Sequence, residues 1–223
     1  VTPGPDLPID AKPWLHEVGR VLARTVHRPG HRVRWHHRDR VPATGPVVLV
    51  ANHSSLVEPQ LLFGGLPRRA VFLVKSELFH GPLGWALRGL GQIPVRRGTP
   101  DRAPLMAAVQ VLRNGGLVGV FPEGTRGAGD VAAAEQGAAW LVRTSGARVL
   151  PVATRGTRRP PGAAWRLRPV VDLVVGEPFD PRVGPGRAGL ATATETIRAR
   201  LAELVRDLDE RRRPSSPQNK AAP

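Results

Sequence analysis

Cysteine is absent, which removes disulfides, thiolate metal sites and cysteine nucleophiles from consideration. Its absence fits a reducing compartment. Tyrosine is missing as well, and aromatics make up only 4% of the chain. Single-strand nucleic-acid binders stack bases on aromatic platforms, so that class loses ground. Neither zinc-finger spacing nor an aromatic RNA-binding motif is present. No apolar run reaches the roughly 18–20 residues that a membrane span needs, and no secretory signal peptide is visible. The chain opens on Val1 rather than Met, which leaves room for a preceding segment. Lysine is scarce: Lys12, Lys75 and Lys220 are the only three, so 30 of the 33 basic residues are arginine. With abundant Ala, Gly and Pro, this bias marks a GC-rich, bacterial genome and weakens any argument from arginine number alone.

What remains is a 223-residue chain, the size of one domain, with enough hydrophobic residues (41%) for a real core. Its formal net charge of +15 favours anionic partners: nucleic acid, anionic lipid headgroups or phosphorylated small molecules.

Residues 1–12 are Pro-rich. From Pro13 to His27, Trp14, Leu15, Val18, Val21, Leu22 and Val26 recur at helical spacing, with Arg20, Arg24 and Arg28 beside them. Such a helix either packs its apolar face on the core or lies in a membrane interface. Next, "HRVRWHH" alternates like a strand. "GPVVLVAN", "AVFLVK" and "GLVGVF" are short apolar runs that read as buried strands, and "GQIPVRR" as a short one. Helices are predicted for "PQLLFGGL", for 77–90 with a break near Gly81-Pro82, for 101–113, for "AAAEQGAAWLVRTSG" closing at Gly146, and for 189–212. "ARVLPVATRG" and "AWRLRPVVDLVVGEPF" supply further strands. The alternation predicts a single α/β domain with a mainly parallel central sheet flanked by helices. The boundaries are an N-terminal amphipathic segment at 1–29, the main domain at 30–212, and a disordered tail at 213–223.

In parallel sheets, sites gather at the carboxyl ends of strands. His53 follows one predicted strand, Lys75 ends another, Arg96 and Arg97 end a third, and the loop "PEGTR" follows a fourth. In "NHSSLVE", His53 and Glu58 stand five residues apart. A turn entering a helix can bring the acid to the ring, making a base and its orienter; the alternative is a plain turn with Glu58 facing water. "FPEGTRG" offers backbone N–H groups and Arg126 to an anion; the alternative is a structural turn with a local Glu123–Arg126 pair. Lys75 is a compact ammonium where arginine is otherwise favoured. Ser54 and Ser55 adjoin His53, but no second histidine partner is evident. No GxSxG elbow, Walker A loop, GxGxxG fingerprint or HExxH motif occurs. His36-His37 is a weak metal candidate, because adjacent strand residues face opposite ways.

Taken in order, "NHSSLVE", "GQIPVRR", "FPEGTR" and the proline-containing strand "VLPVA" resemble the four blocks of the glycerolipid acyltransferase family, which includes the bacterial 1-acyl-glycerol-3-phosphate acyltransferases. The resemblance covers residues 30–175, and its first and third blocks are the specific ones. It implies acyl transfer from acyl-CoA or acyl carrier protein to the free hydroxyl of a lysophospholipid, giving phosphatidic acid. On this reading His53 is the general base, Glu58 orients it, and no acyl-enzyme forms. Lys75 and Arg126 hold the acceptor's phosphate, while Arg97, Glu123, Gly124 and Thr125 help to position it. Holding the phosphate fixes the reacting hydroxyl near the base, and positioning alone can lower a barrier by about 7–11 kcal/mol. One departure stands out: the family's acid in the first block is usually aspartate, and here it is Glu58.

The resemblance further implies no metal and no cofactor beyond the acyl donor, and peripheral attachment to anionic lipid at the cytoplasmic face of the cell membrane. Three other readings stay open: the same chemistry on another lysolipid or a glycolipid, a catalytically impaired relative, and a basic nucleic-acid-binding module.

Overall fold

A computed structural model describes residues 6–96, 102–123, 129–132, 134–158 and 167–213. Among them are seven strands: β1 (Arg32–His36), β2 (Val47–Ala51), β3 (Val71–Lys75), β4 (Ile93–Val95), β5 (Leu117–Val120), β6 (Arg148–Arg155) and β7 (Val170–Val175). The six α-helices are α1 (Pro13–Val26), α2 (Val57–Gly65), α3 (Gly81–Gly89), α4 (Ala103–Arg113), α5 (Gly137–Ser145) and α6 (Gly186–Arg212). The strands form one sheet in the order β1-β7-β6-β2-β5-β3-β4. All its pairs are parallel except β6 with β7. This is the mainly parallel α/β sheet expected from the sequence.

Strand β2 shows why. Val47, Val48, Leu49, Val50 and Ala51 are all buried. Val48 and Val50 join a core with Leu112, Leu141, Ile197 and Leu201 from α4, α5 and α6. Val47, Leu49 and Ala51 join the core on the other side with Leu61, Leu62 and Leu66 from α2 and its end. Successive strand residues face opposite ways, so a continuous apolar run needs helices on both faces. Each such valine or leucine side chain contributes about 1.5–3 kcal/mol on burial, which fixes the register and carries the chain to the sheet edge at Ala51.

Several element boundaries move. The Gly81-Pro82 break is the start of α3, with Pro82 where a helix tolerates the missing N–H. Helix α5 begins at Gly137, later than its apolar pattern suggests, and closes at Gly146 (φ +69°), whose N–H bonds the Val142 carbonyl. The tail beyond Arg213 lies outside the described residues.

Helix α1 corrects one of the two readings left open. Most of its apolar stripe does not pack on the core: Trp14, Val18, Val21, Leu22 and Val26 are exposed, and only Leu15 is partly buried. The polar side is what docks. His16 is fully buried and donates from Nδ1 to the Leu90 carbonyl at 2.7 Å. Arg20 reaches the Leu66 carbonyl at 2.6 Å, and Arg24 the Gly64 carbonyl at 3.0 Å. Gly64 lets the two backbones meet, because a Cβ there would lie 2.7 Å from the Arg24 nitrogen. Carbonyls at the ends of α2 and α3 therefore hold the polar side of α1, together with the packing of Ala23 on the core and of the His16 ring on Phe63.

Candidate active site

Strand β2 ends at Ala51, and the next eight residues build the site. Asn52 is fully buried. Its amide donates to the Thr154 carbonyl at 3.0 Å and its oxygen accepts from the Thr154 N–H at 2.7 Å. The side chain thus continues the β2–β6 pairing one step past the strand and fixes where residue 53 begins.

The His53 N–H donates to Glu123 Oε1 at 2.8 Å. Its ring stacks on Phe121 with centroids 4.3 Å apart and planes at 28°, and its side chain is 9% exposed. His53 Nδ1 lies 3.1 Å from Glu58 Oε2. Nε2 has no partner among the described residues, so it is the nitrogen available to a substrate.

Glu58 sits in the first turn of α2 with its side chain fully buried. A buried carboxylate is costly unless its lone pairs are used. Here Oε2 also accepts from the backbone N–H groups of Ser54 (2.8 Å) and Ser55 (3.2 Å). Oε1 accepts from the hydroxyls of Ser54 (2.5 Å) and Thr157 (2.7 Å). Burial pushes the Glu58 pKa up, but the hydrogen bonds from His53, Ser54 and Thr157 outweigh it and leave the group below its ordinary value. An ionised Glu58 keeps the ring proton on Nδ1 and leaves the Nε2 lone pair free to accept one. The reading of Glu58 as a solvent-facing turn residue fails, since none of it meets solvent.

Glu123 behaves the other way. Burial raises its pKa; the His53 N–H opposes this and the charge of Asp130 adds to it. The reading of Ser54 as a nucleophile finds no geometric support, because its hydroxyl serves Glu58 and Thr157. Lys75 stands at the same edge of the sheet, half-exposed, with Nζ 2.8 Å from Glu77 Oε1 and no bond to the His53 cluster. Arg96 is exposed beyond β4. Arg97, Gly124, Thr125 and Arg126 lie outside the described residues. His36 bonds Asp172 at 3.1 Å, and His37 takes a left-handed conformation beside it. Among the described residues no group of three or more His, Cys, Asp or Glu could hold a metal ion.

Sequence reasoning missed Thr157, Phe121 as the wall of the imidazole, and the structural task of Asn52. Phe121 was open to notice, because it opens the "FPEGTR" block one residue past a buried strand. Thr157 was not, because 99 residues separate it from the carboxylate it holds.

The sequence model of the family described as Acyltransferase matches residues 32–155. That span runs from β1 through β6; it includes His53, Glu58 and Glu123 and stops two residues short of Thr157. The chain is 30% identical over 183 residues to the 1-acyl-sn-glycerol-3-phosphate acyltransferase of Bacillus subtilis, covering 80% of this chain and 90% of that protein. It is 31% identical over 168 residues to the enzyme of that name from Pseudomonas aeruginosa, covering 73% of this chain and 65% of that one. The crystal structure of the 1-acyl-sn-glycerophosphate (LPA) acyltransferase PlsC from Thermotoga maritima superimposes with a TM-score of 0.70 at 27% identity, covering 91% of this chain and 81% of that one.

Proposed function

The chain belongs to the acyltransferase family and is an acyltransferase; from that premise we propose that it moves a fatty acyl chain from a thioester to the free hydroxyl of 1-acyl-glycerol-3-phosphate, giving phosphatidic acid. The observation that carries this reading is the His53–Glu58 pair, with an unclaimed Nε2, at the carboxyl end of a central parallel strand. The acceptor follows the names of the relatives.

His53 Nε2 takes the hydroxyl proton as the alcohol oxygen attacks the thioester carbonyl carbon. Glu58 stabilises the imidazolium that forms. The tetrahedral intermediate collapses, the carbon–sulfur bond breaks, and the proton on Nε2 passes to the leaving thiolate. The new bond is the ester, and no group on the enzyme is acylated. The phosphate of the acceptor is held by Lys75 and Arg126, with Arg97, Glu123, Gly124 and Thr125 positioning it. For Lys75 this means leaving Glu77, an exchange that a solvent-exposed ion pair permits. No cofactor is needed beyond the acyl donor, either acyl-CoA or acyl carrier protein.

Peripheral attachment to the cytoplasmic face of the cell membrane is part of the same proposal. No helix among the described residues is long and apolar enough to cross a bilayer. Trp85 on α3 is exposed like the stripe of α1, and Lys12, the residue before α1, sits over its ring at 5.4 Å. An apolar face flanked by basic groups suits an anionic lipid surface.

The test is thioester consumption over a panel of lysolipids with both donor types. Turnover should depend on lysophosphatidic acid, and His53→Ala should lower it by about 10²–10⁴-fold, the usual range for a general base. Turnover retained by His53→Ala would end the mechanism. Turnover only with another lysolipid or a glycolipid would move the acceptor.

A further inference from the structure

A groove of about 580 Å3 opens between α1, α2 and β1, and five arginines line it: Arg24, Arg28, Arg32, Arg38 and Arg168. Trp35 and Leu61 contribute apolar surface. No acidic residue lines it, and none of the five arginines has a carboxylate partner among the described residues. Elsewhere some arginines are matched, as Arg40 with Glu177, Arg69 with Glu17 and Arg155 with Asp209, while others, such as Arg68, Arg143 and Arg148, bond backbone carbonyls. An arginine-rich composition accounts for arginines without acids; what sets this groove apart is that five of them line one concavity from which acids are absent. Like charges crowd there at a cost; burial, then the charges of Arg24 and Arg20, depress the Arg38 guanidinium. Arg168 is held in left-handed backbone (φ +53°), where a side chain is strained, while its guanidinium donates to the Arg28 carbonyl at 3.0 Å.

The groove lies at the active-site end of the sheet. Strand β6 runs parallel to β2 and pairs antiparallel with β7, so β7 starts where β2 and β6 finish. Strand β1 pairs in parallel with β7, Arg32 opposite Val170, so its first residues are at that end too. On α2, Glu58 and Leu61 are one turn apart: the first bonds His53 and the second lines the groove. His27 Nε2 lies 2.6 Å from Gln60 Oε1 and ties the end of α1 to that turn.

We propose that this groove holds the phosphorylated nucleotide end of an acyl-CoA donor, whose pantetheine arm runs along the first turns of α2 to His53. The proposal rests on the reading of the chain as a thioester-dependent acyltransferase. Coenzyme A carries a diphosphate and a phosphomonoester close together, which matches several unpaired guanidiniums able to grip phosphate in a fork. The concavity has the size of a small-molecule site, whereas a carrier protein presents a folded surface. A bilayer headgroup fits less well, because Ala23, in the groove wall, lies across α1 from the exposed Trp14, Val18 and Val21.

The test uses the full chain and the variant Arg28→Gln/Arg32→Gln. Neither side chain makes a described hydrogen bond or ion pair, so folding should survive; circular dichroism and melting check it. Desulfo-CoA binding is followed by calorimetry, and transfer is compared for acyl-CoA and for an acyl-pantetheine thioester that lacks the nucleotide. The variant should bind desulfo-CoA at least about tenfold more weakly, in keeping with lost bonds to charged groups, and its preference for acyl-CoA over acyl-pantetheine should fall by the same factor. The loss should shrink as salt is raised. Unchanged desulfo-CoA affinity, equal losses with both donors, or loss of anionic-vesicle binding in its place would overturn the proposal. A wild type that binds desulfo-CoA through these arginines yet acylates no acceptor would sink the functional reading and uphold the groove. One that uses carrier-protein thioesters but neither binds desulfo-CoA nor uses acyl-CoA would sink the groove alone.

Discussion

The Thr157 hydroxyl donates to Glu58 Oε1 at 2.7 Å, so a residue just past β6 steadies the carboxylate that holds the His53 imidazole. Thr157→Val removes that donor and leaves Oε1 to Ser54 alone. The expected cost is about 1.5–3 kcal/mol of stability, the usual worth of a bond to a charged group, with a fall in kcat and little change in KM. Thr157→Ser should restore both. Denaturant unfolding and steady-state kinetics decide it; a Val variant with wild-type kcat would reduce Thr157 to packing.

Glu58→Asp puts in the acid that the family commonly uses, and here it should lower activity. The shorter side chain draws back from either Nδ1 of His53 or the Thr157 hydroxyl. A shift of about 1 Å at a catalytic group can cost about 10²-fold in rate. Equal turnover by the Asp variant would show that the backbone follows the carboxylate.

The depressed pKa of Glu58 makes its contribution to stability depend on pH. A group with a lower pKa in the folded state stabilises above its unfolded value, and the gain is lost as pH falls through the folded value. The stability difference between wild type and Glu58→Gln should therefore be largest near neutrality. It should shrink progressively below the ordinary carboxylate range. Urea unfolding at a series of pH values measures it, and a difference that grows on acidification would contradict the geometry.

Asn52→Ala strips two bonds from the Thr154 backbone in a fully buried place. Leaving buried polar groups unpaired should cost about 2–4 kcal/mol. The melting temperature should drop, and activity should fall with it, because residue 53 loses its anchor. An Asn52→Ala protein that melts like wild type would refute the anchoring role.

Val21→Glu/Leu22→Glu places charge on the exposed stripe of α1. Fold stability should change little, since these side chains leave the core untouched. Sedimentation with anionic vesicles should weaken several-fold. Undiminished sedimentation would remove α1 from the membrane proposal.

The sheet could be read from the sequence because fully buried strands leave continuous apolar runs such as Val47–Ala51. His53, Glu58, Lys75 and Glu123 could be placed at one sheet edge because parallel strands present their following loops together. The packing of α1 could not be read. Periodicity shows which side of a helix is apolar but not what covers it, and the acceptors that His16 and Arg20 reach beyond α1 are backbone carbonyls, which look alike in every residue. Thr157 was hidden for the related reason that a hydroxyl after a strand finds its carboxylate only once the chain has folded.

The outward-facing stripe of α1 also bears on how the protein behaves in a test tube. Without lipid or detergent, Trp14, Val18, Val21 and Leu22 on one molecule can meet only water or their counterparts on another. Mutual repulsion from a net charge of +15 keeps such molecules apart at low ionic strength. Added salt weakens that repulsion and strengthens apolar cohesion, so the same salt wash that strips the protein from anionic surfaces will drive it into clusters, which a mild detergent should dissolve.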